Sequence, residues 1–412
     1  MKKTFLLSCL MLAAMPVMAA YTGRVYVDKN KNGMFDPGEK TWAGIKVSDG
    51  LNVVETAADG SFTLPGHERE RFIFITTPSG YKTFNRHYHK IEEKQSGYDF
   101  CLMPYSGRIR KDGSHKYIHI ADTEIFNTEN HEDWVNNVRD YARNEQAAFI
   151  IHTGDICYEK GLKAHIKLMN TENMDCPVFY CIGNHDLVKG KYGEELFESI
   201  YGPVYYSFDA GNVHYIVTPM PGGDHAPGYT ADDVCRWLKN DLAHIRPGTP
   251  VVVFNHDLLT YEDAFIFKSK NAGSINLNEH NLKAWVYGHW HINYMKKQGD
   301  VYSVCTSSLD KGGIDHSTTA FRVMHVDSKG DFTSELRYTY LDKNICIASP
   351  AGVMASGVLP VAVNVYSSVS PVKEVLYTCL ADGKPVLKNK RLLQSTDWSW
   401  NGELPLSDKH VG

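Results

Sequence analysis

Pro177-Val178-Phe179-Tyr180-Cys181-Ile182 runs directly into Gly183-Asn184-His185-Asp186. An uncharged run rich in β-branched and aromatic residues reads as a strand buried on both faces. It ends abruptly in glycine and in oxygen and imidazole donors. The same pattern recurs on either side. Tyr117-Ile118-His119-Ile120-Ala121 ends in Asp122-Thr123-Glu124, and Ala148-Phe149-Ile150-Ile151 leads to Gly154-Asp155. Val251-Val252-Val253-Phe254 ends in Asn255-His256-Asp257, and Trp285-Val286-Tyr287 delivers Gly288-His289-Trp290-His291. Open α/β sheets bind ligands at the carboxyl ends of their strands, so these five donor groups are expected to converge. Asp, Asn, Glu and His together suit divalent first-row cations. One such strand end means little, because a lone histidine there is commonly structural. Five in series point to a metal centre.

Between the strands the period changes to that of helices. Trp134, Val135, Val138, Tyr141 and Ala142 share one face of a helix expected near 131–144. A second helix is expected after Thr230, with Asp233 completing a capping box and Val234, Trp237, Leu238 and Leu242 facing inward. Strands alternating with helices predict an α/β layered domain over 106–345. Residues 21–105 instead read as a β domain, from strand-like runs near 24–27, 52–56 and 71–76 separated by glycine turns. A further β domain is expected over 350–412, with four or five strands. Residues 1–20 have the layout of a secretory signal peptide, with Lys2 and Lys3, an apolar run, and small residues closing at Ala19-Ala20. The expectation is an exported, periplasmic or extracellular protein with no transmembrane span once the signal is removed.

Composition excludes several classes. Of the 412 residues 43% are hydrophobic, too many for a disordered chain. A formal charge of −5, with no basic run, gives no nucleic-acid-binding signature. Nine cysteines, one of them in the leader, are too few for a disulfide scaffold in a chain this long, and Cys157, Cys181 and Cys305 read as buried thiols.

The order Asp122, Gly154-Asp155, Gly183-Asn184-His185-Asp186, Asn255-His256 and Gly288-His289-Trp290-His291 resembles that of the calcineurin-like metallophosphoesterases, over about residues 115–340. Tyr201-Gly202-Pro203, Tyr205-Tyr206-Ser207-Phe208 and Gly312-Gly313-Ile314-Asp315-His316 look like exported bacterial members with extra N- and C-terminal β domains. The resemblance implies a four-layer βαβ-sandwich core flanked by β-sandwich-like domains. It implies one metal on Asp122, Glu124, Asp155 and His291, and a second on Asp155, Asn184, His256 and His289, with Asp155 bridging. The family usually has histidine where this chain has Glu124, and the extra carboxylate favours hard ions. Mn, Fe and Zn stay open. Such a pair of cations would clamp a phosphate mono- or diester and activate a shared water. The resemblance assigns His185 to the phosphate or the leaving alcohol, with Asp186 orienting its imidazole.

Asp28-Lys29-Asn30-Lys31-Asn32-Gly33-Met34-Phe35-Asp36-Pro37-Gly38-Glu39 fits the twelve-residue calcium loop, with Asp28, Asn30, Asn32, Met34, Asp36 and Glu39 as ligands. It looks more like calcium loops of exported β modules than an EF-hand, because a strand precedes it and no helix follows. His87 and His89 read as solvated. Asp224-His225 lies in a loop that could border the site, and Tyr158 follows Asp155 closely enough to line it. A competing reading is an extracellular adhesion protein stabilised by calcium over a decayed core. Neither the alcohol half of the substrate nor the oligomeric state can be read from the residues.

Overall fold

The computed structural model describes residues 20–84, 86–314, 316–340, 343–352, 357–367, 370–396 and 398–406. Residues 1–19 of the expected signal lie outside the described residues, and Ala20 opens the first strand.

Two sheets form the centre of the molecule. One has the strand order Val178–Tyr180, Phe149–His152, His115–Ile120, Ala320–Val326, Phe332–Tyr338, with the first three parallel. The other runs Tyr206–Ala210, Val213–Val217, Val251–Phe254, Leu282–Tyr287, Val301–Cys305, Tyr294–Gln298, with the inner four parallel. Alternation along a strand sends neighbouring side chains to opposite faces. Tyr117, Phe149 and Ile151 therefore meet Tyr215 and Phe254 between the sheets, while Ile118, Ile120 and Ile150 face helices Glu132–Asn144 and Tyr158–Leu168. Tyr117 and Phe149 stack at 4.7 Å and 8°. Helix Ala231–Ala243 covers the far side of the second sheet through Trp237, Leu238 and Leu242, giving helix, sheet, sheet and helix layers. Its capping box forms as the sequence predicts, with Asp233 Oδ2 accepting from Thr230 N at 2.9 Å. The face predicted for the first helix is buried at Trp134, Val135, Val138 and Ala142.

Residues 20–104 fold as two small sheets around Val25, Val47, Phe62, Leu64, Ile73, Ile75 and Phe100. Phe72, Phe74 and Tyr88 leave that core to join the one between the large sheets. The docking is reinforced by Arg71, whose guanidinium lies 2.7 Å from Glu194 and 2.9 Å from Glu198. The tail has six strands among its described residues. Four, Lys343–Ser349, Gly357–Ser367, Ser399–Leu406 and Leu393–Gln394, form an antiparallel sheet, and the other two form a hairpin. Leu359, Val361, Val363, Leu392 and Trp400 make its core.

His87 differs from its sequence reading. Its ring packs 4.6 Å from that of Tyr206, and its Nε2 is buried with no hydrogen-bond partner among the described residues. Burial, with Arg86 beside it, pulls its pKa down to about 3. Two polar neighbours in sequence concealed an aromatic wall contributed from the core domain. His89 is half-buried, with Nε2 2.8 Å from the Asp99 carbonyl.

Candidate metal centre

All the parallel strands point the same way, so the residues after them gather at one rim. Several reach it through strained backbone. Asp122, Glu124, Asp155, His289 and His291 all have positive φ, between 44° and 64°. Non-glycine residues occupy that region at a cost, and such outliers cluster at functional sites. Glycine permits the close approach. A Cβ on Gly183 would fall 2.2 Å from Asp155 Oδ1, and one on Gly154 would fall 2.6 Å from His256 Nδ1.

Two histidine-bearing groups of donors result, and Asp155 belongs to both, as it does to a third with Glu124 and Cys157. Asp122, Asp155 and His291 place one ligand atom each within 4.8 Å of one another, and so do Asp155, His256 and His289. Around the first, His291 Nε2 is 3.4 Å from Asp122 Oδ1 and 3.5 Å from Glu124 Oε1. Around the second, His256 Nε2 is 3.2 Å from Asp155 Oδ2 and 3.1 Å from Asn184 Oδ1. His256 Nδ1 lies 2.7 Å from the Thr153 carbonyl, an acceptor only, so Nδ1 carries the hydrogen and Nε2 is the nitrogen free to ligate. The His289 backbone N–H donates to both oxygens of Asp122 at 3.1 Å, tying the two halves together.

The electrostatics fit a cation. Burial pushes the Asp122 carboxyl up, and Asp155 nearby adds to the effect. Burial also opposes ionising Asp155, but the His256 imidazole and the His185 N–H outweigh it and hold its carboxyl below the ordinary range. Burial disfavours charge on His256 too, yet Asp155 and Asp122 lift it to about 10. A buried histidine held between two carboxylates marks a buried negative site. The same carboxylates would hold a divalent ion, whose binding displaces that proton. Oxygen and imidazole donors around one shared carboxylate match the chemistry of divalent cations. Beneath them His119 and His152 are kept neutral by burial, with their Nε2 atoms 2.8 and 3.0 Å from the Thr153 and Thr123 hydroxyls.

Glu124 faces the centre, and its second oxygen is paired with Lys311, a residue the sequence reading did not single out. His185 stands at the edge, partly exposed. The role expected for Asp186 is corrected. Its carboxylate is fully buried and accepts the backbone N–H groups of Gly183 at 2.9 Å and Cys157 at 2.8 Å. Burial and the nearby Asp155 push it up to about 7. The short 3-10 turn Asn184–Asp186 sends adjacent side chains in different directions, so Asp186 shapes the loops and does not meet the imidazole. Asp224 does, with Oδ2 2.9 Å from His185 Nδ1. Burial lowers the His185 pKa, but the Asp224 hydrogen bond and the Asp155 charge prevail and leave it raised. Tyr158 lies against His185, with ring centroids 5.3 Å apart.

The calcium-like loop folds inward around Asp28, which is buried. The Asp28 carboxylate accepts from Lys31 N and Gly33 N, at 2.6 and 2.7 Å. Asn30 and Asn32 both reach Asp36 Oδ2 at 2.7 Å, and Glu39 accepts from Lys29 N at 2.8 Å.

Residues 115–293 match the family model for the calcineurin-like phosphoesterases, and residues 29–105 match the model for the N terminal of calcineurin-like phosphoesterase. Among solved structures, the chain is similar to GAP50 of Plasmodium, described as the anchor in its inner membrane complex. The two are 14% identical over 55% of this chain and 85% of that one, with a TM-score of 0.35. A putative 5'-nucleotidase from Staphylococcus aureus is 14% identical over 55% and 54%, with a TM-score of 0.33. A phosphopantetheinyl hydrolase from Mycobacterium tuberculosis is 13% identical over 47% and 89%, with a TM-score of 0.30. No curated protein matches the chain.

Proposed function

From the premise that the chain carries a calcineurin-like phosphoesterase domain at residues 115–293, we propose that it hydrolyses phosphate mono- or diesters outside the cytoplasm using two divalent cations. The observation that carries this reading is the sharing of Asp155 between two donor groups. One cation falls to Asp122, Glu124, Asp155 and His291, and the other to Asp155, Asn184, His256 and His289. Cations held there would supply Lewis acidity to a phosphoryl oxygen and lower the pKa of a nearby water. The pairing of Glu124 with Lys311 leaves its Oε1 turned to the first position, and a carboxylate there favours Mn or Fe over Zn.

The remaining groups act on the substrate. With Nδ1 committed to Asp224, His185 has Nε2 left to donate a proton to the departing oxygen. Asp224 fixes the ring and favours its protonated form. Asp186 holds Gly183 and Cys157, and through them the loops that carry Asn184 and Asp155. The adhesion alternative needs a decayed core, and an intact donor set speaks against it. The N-terminal loop is a candidate for one structural calcium ion, supported by the buried carboxylate of Asp28. The leader-like sequence of residues 1–20 supports export.

The test uses the full chain reconstituted with Mn²⁺ and assayed on alkyl and aryl phosphates. His185→Ala should keep both metals and lose 10²–10⁴-fold in rate on alkyl esters, as loss of a positioned acid does, and less on aryl esters. Undiminished turnover on alkyl esters would remove His185 from the chemistry, and no turnover by the parent chain would overturn the hydrolase reading.

A further inference from the structure

Large apolar side chains are exposed at six described positions between residues 115 and 338, and all six lie on the rim that carries the metal donors. They are Phe126, Tyr158, Tyr261, Tyr294, Met295 and Ile314. Each belongs to a segment that follows the carboxyl end of a parallel strand or, as Tyr294 and Met295 do, pairs with that end. Apolar surface confined to one rim marks a binding surface.

Phe126 and Tyr158 form a pair within this group, 53% and 43% exposed. Their rings are 6.2 Å apart and within 14° of parallel, so a flat group entering the rim meets both in the same orientation. Tyr158 begins its helix with φ at 56°, directly after Cys157 at 77°. Both conformations carry a backbone cost of the kind that clusters at functional sites. On its inner side the Tyr158 ring lies 5.3 Å from the His185 ring. The Lys311 ammonium lies 5.7 Å from the Phe126 centroid.

The geometry points to a subsite for a planar aromatic ring on the alcohol half of the ester, built by Phe126 and Tyr158. This rests on the phosphoesterase reading, in which His185 faces the departing oxygen. A phosphoryl group at the donors then sends its alcohol past His185 onto Tyr158 and Phe126. Parallel ring planes select flatness over bulk, which favours an aromatic ring above an aliphatic chain. Two sources supply such a ring. A ring bonded close to the ester oxygen falls on Tyr158, and one set off by a sugar, as in a nucleoside, reaches Phe126.

The experiment compares matched pairs of substrates with the Mn²⁺-loaded full chain. Benzyl phosphate is paired with cyclohexylmethyl phosphate, and adenosine 5'-monophosphate with ribose 5-phosphate. Stacking of a base on an aromatic side chain predicts kcat/KM ratios of about ten-fold or more in favour of the flat member. Tyr158→Ala should collapse the benzyl ratio toward one, and Phe126→Ala the adenosine ratio. Loss in only one pair identifies the source of the ring. Ratios near one in the parent chain, or ratios untouched in both variants, overturn the subsite. Calorimetry with benzylphosphonate against cyclohexylmethylphosphonate separates the two claims. Flat-ring preference in binding without turnover of any ester keeps the subsite and overturns the hydrolase reading, whereas equal binding of the two phosphonates overturns the subsite itself.

Discussion

Replacing Asp224 by asparagine keeps the shape of the His185 contact and removes its charge. Asp224 Oδ2 lies 2.9 Å from His185 Nδ1, with side-chain exposures of 32% for the histidine and 38% for the aspartate. Two unit charges about 4 Å apart interact by about 1 kcal/mol in bulk water and about 4 kcal/mol near a protein surface. With a third of each side chain in solvent, the lower half of that range applies, about 1–2 kcal/mol. If the pair acts on the departing oxygen, that converts to about 5–30-fold in kcat. The loss should be largest for alkyl phosphates and small for aryl phosphates, which leave without a proton. A double-mutant cycle isolates the contact. In a His185→Ala background, Asp224→Asn should cost nothing further, because its only route to the chemistry is gone. The assay is steady-state kinetics of the four Mn²⁺-loaded proteins on ribose 5-phosphate and phenyl phosphate. A single-variant loss below two-fold, or full additivity with His185→Ala, would refute the assignment of Asp224 as the positioning residue.

Two further outcomes follow from other parts of the molecule. Arg71→Met strips the cation from Glu194 and Glu198, both buried, and should cost about 3 kcal/mol in urea unfolding at pH 8. Burial, against the pull of Arg71, lifts Glu198 to about 7, so the folded state holds a proton that the unfolded chain releases, and its stability contribution falls as pH rises from about 4.5 to 7. The Arg71→Met loss should therefore be smaller at pH 5, and an equal loss at both pH values would contradict the buried cluster. In the N-terminal loop, Ca²⁺ should raise the unfolding midpoint of the full chain by mass action, and Asp28→Ala with Glu39→Ala should abolish the rise. No calcium-dependent shift in the unmutated chain would leave the loop an ion-free turn.

The strand ends were legible in the sequence because the signal is local. An apolar run followed at once by Gly183-Asn184-His185 or Gly288-His289-Trp290-His291 carries both the element and its donor side chains in one stretch. The helix faces and the Thr230–Asp233 cap were legible for the same reason. What the sequence concealed depends on distant pairings. Asp224 is 39 residues from His185, so the adjacent Asp186 seemed the natural partner, although the turn directs it to Gly183 and Cys157. Lys311 reaches Glu124 across 187 residues. His87 looked solvated because its apolar neighbours, Phe179 and Tyr206, come from another domain. The positive φ at Asp155 and Tyr158 leaves no mark in composition, and for an aromatic residue such as Tyr158 it is uncommon.

Asp155 is common to both histidine-bearing donor groups. Metal content per chain, read by elemental mass spectrometry after Mn²⁺ loading and gel filtration, tests it most directly when paired with turnover. The unmutated chain should retain two metal ions and hydrolyse phosphate esters. Asp155→Asn should retain fewer than one and lose most turnover, because both donor groups depend on the same side chain. Two ions and undiminished turnover in Asp155→Asn would contradict the bridging role and the centre built on it.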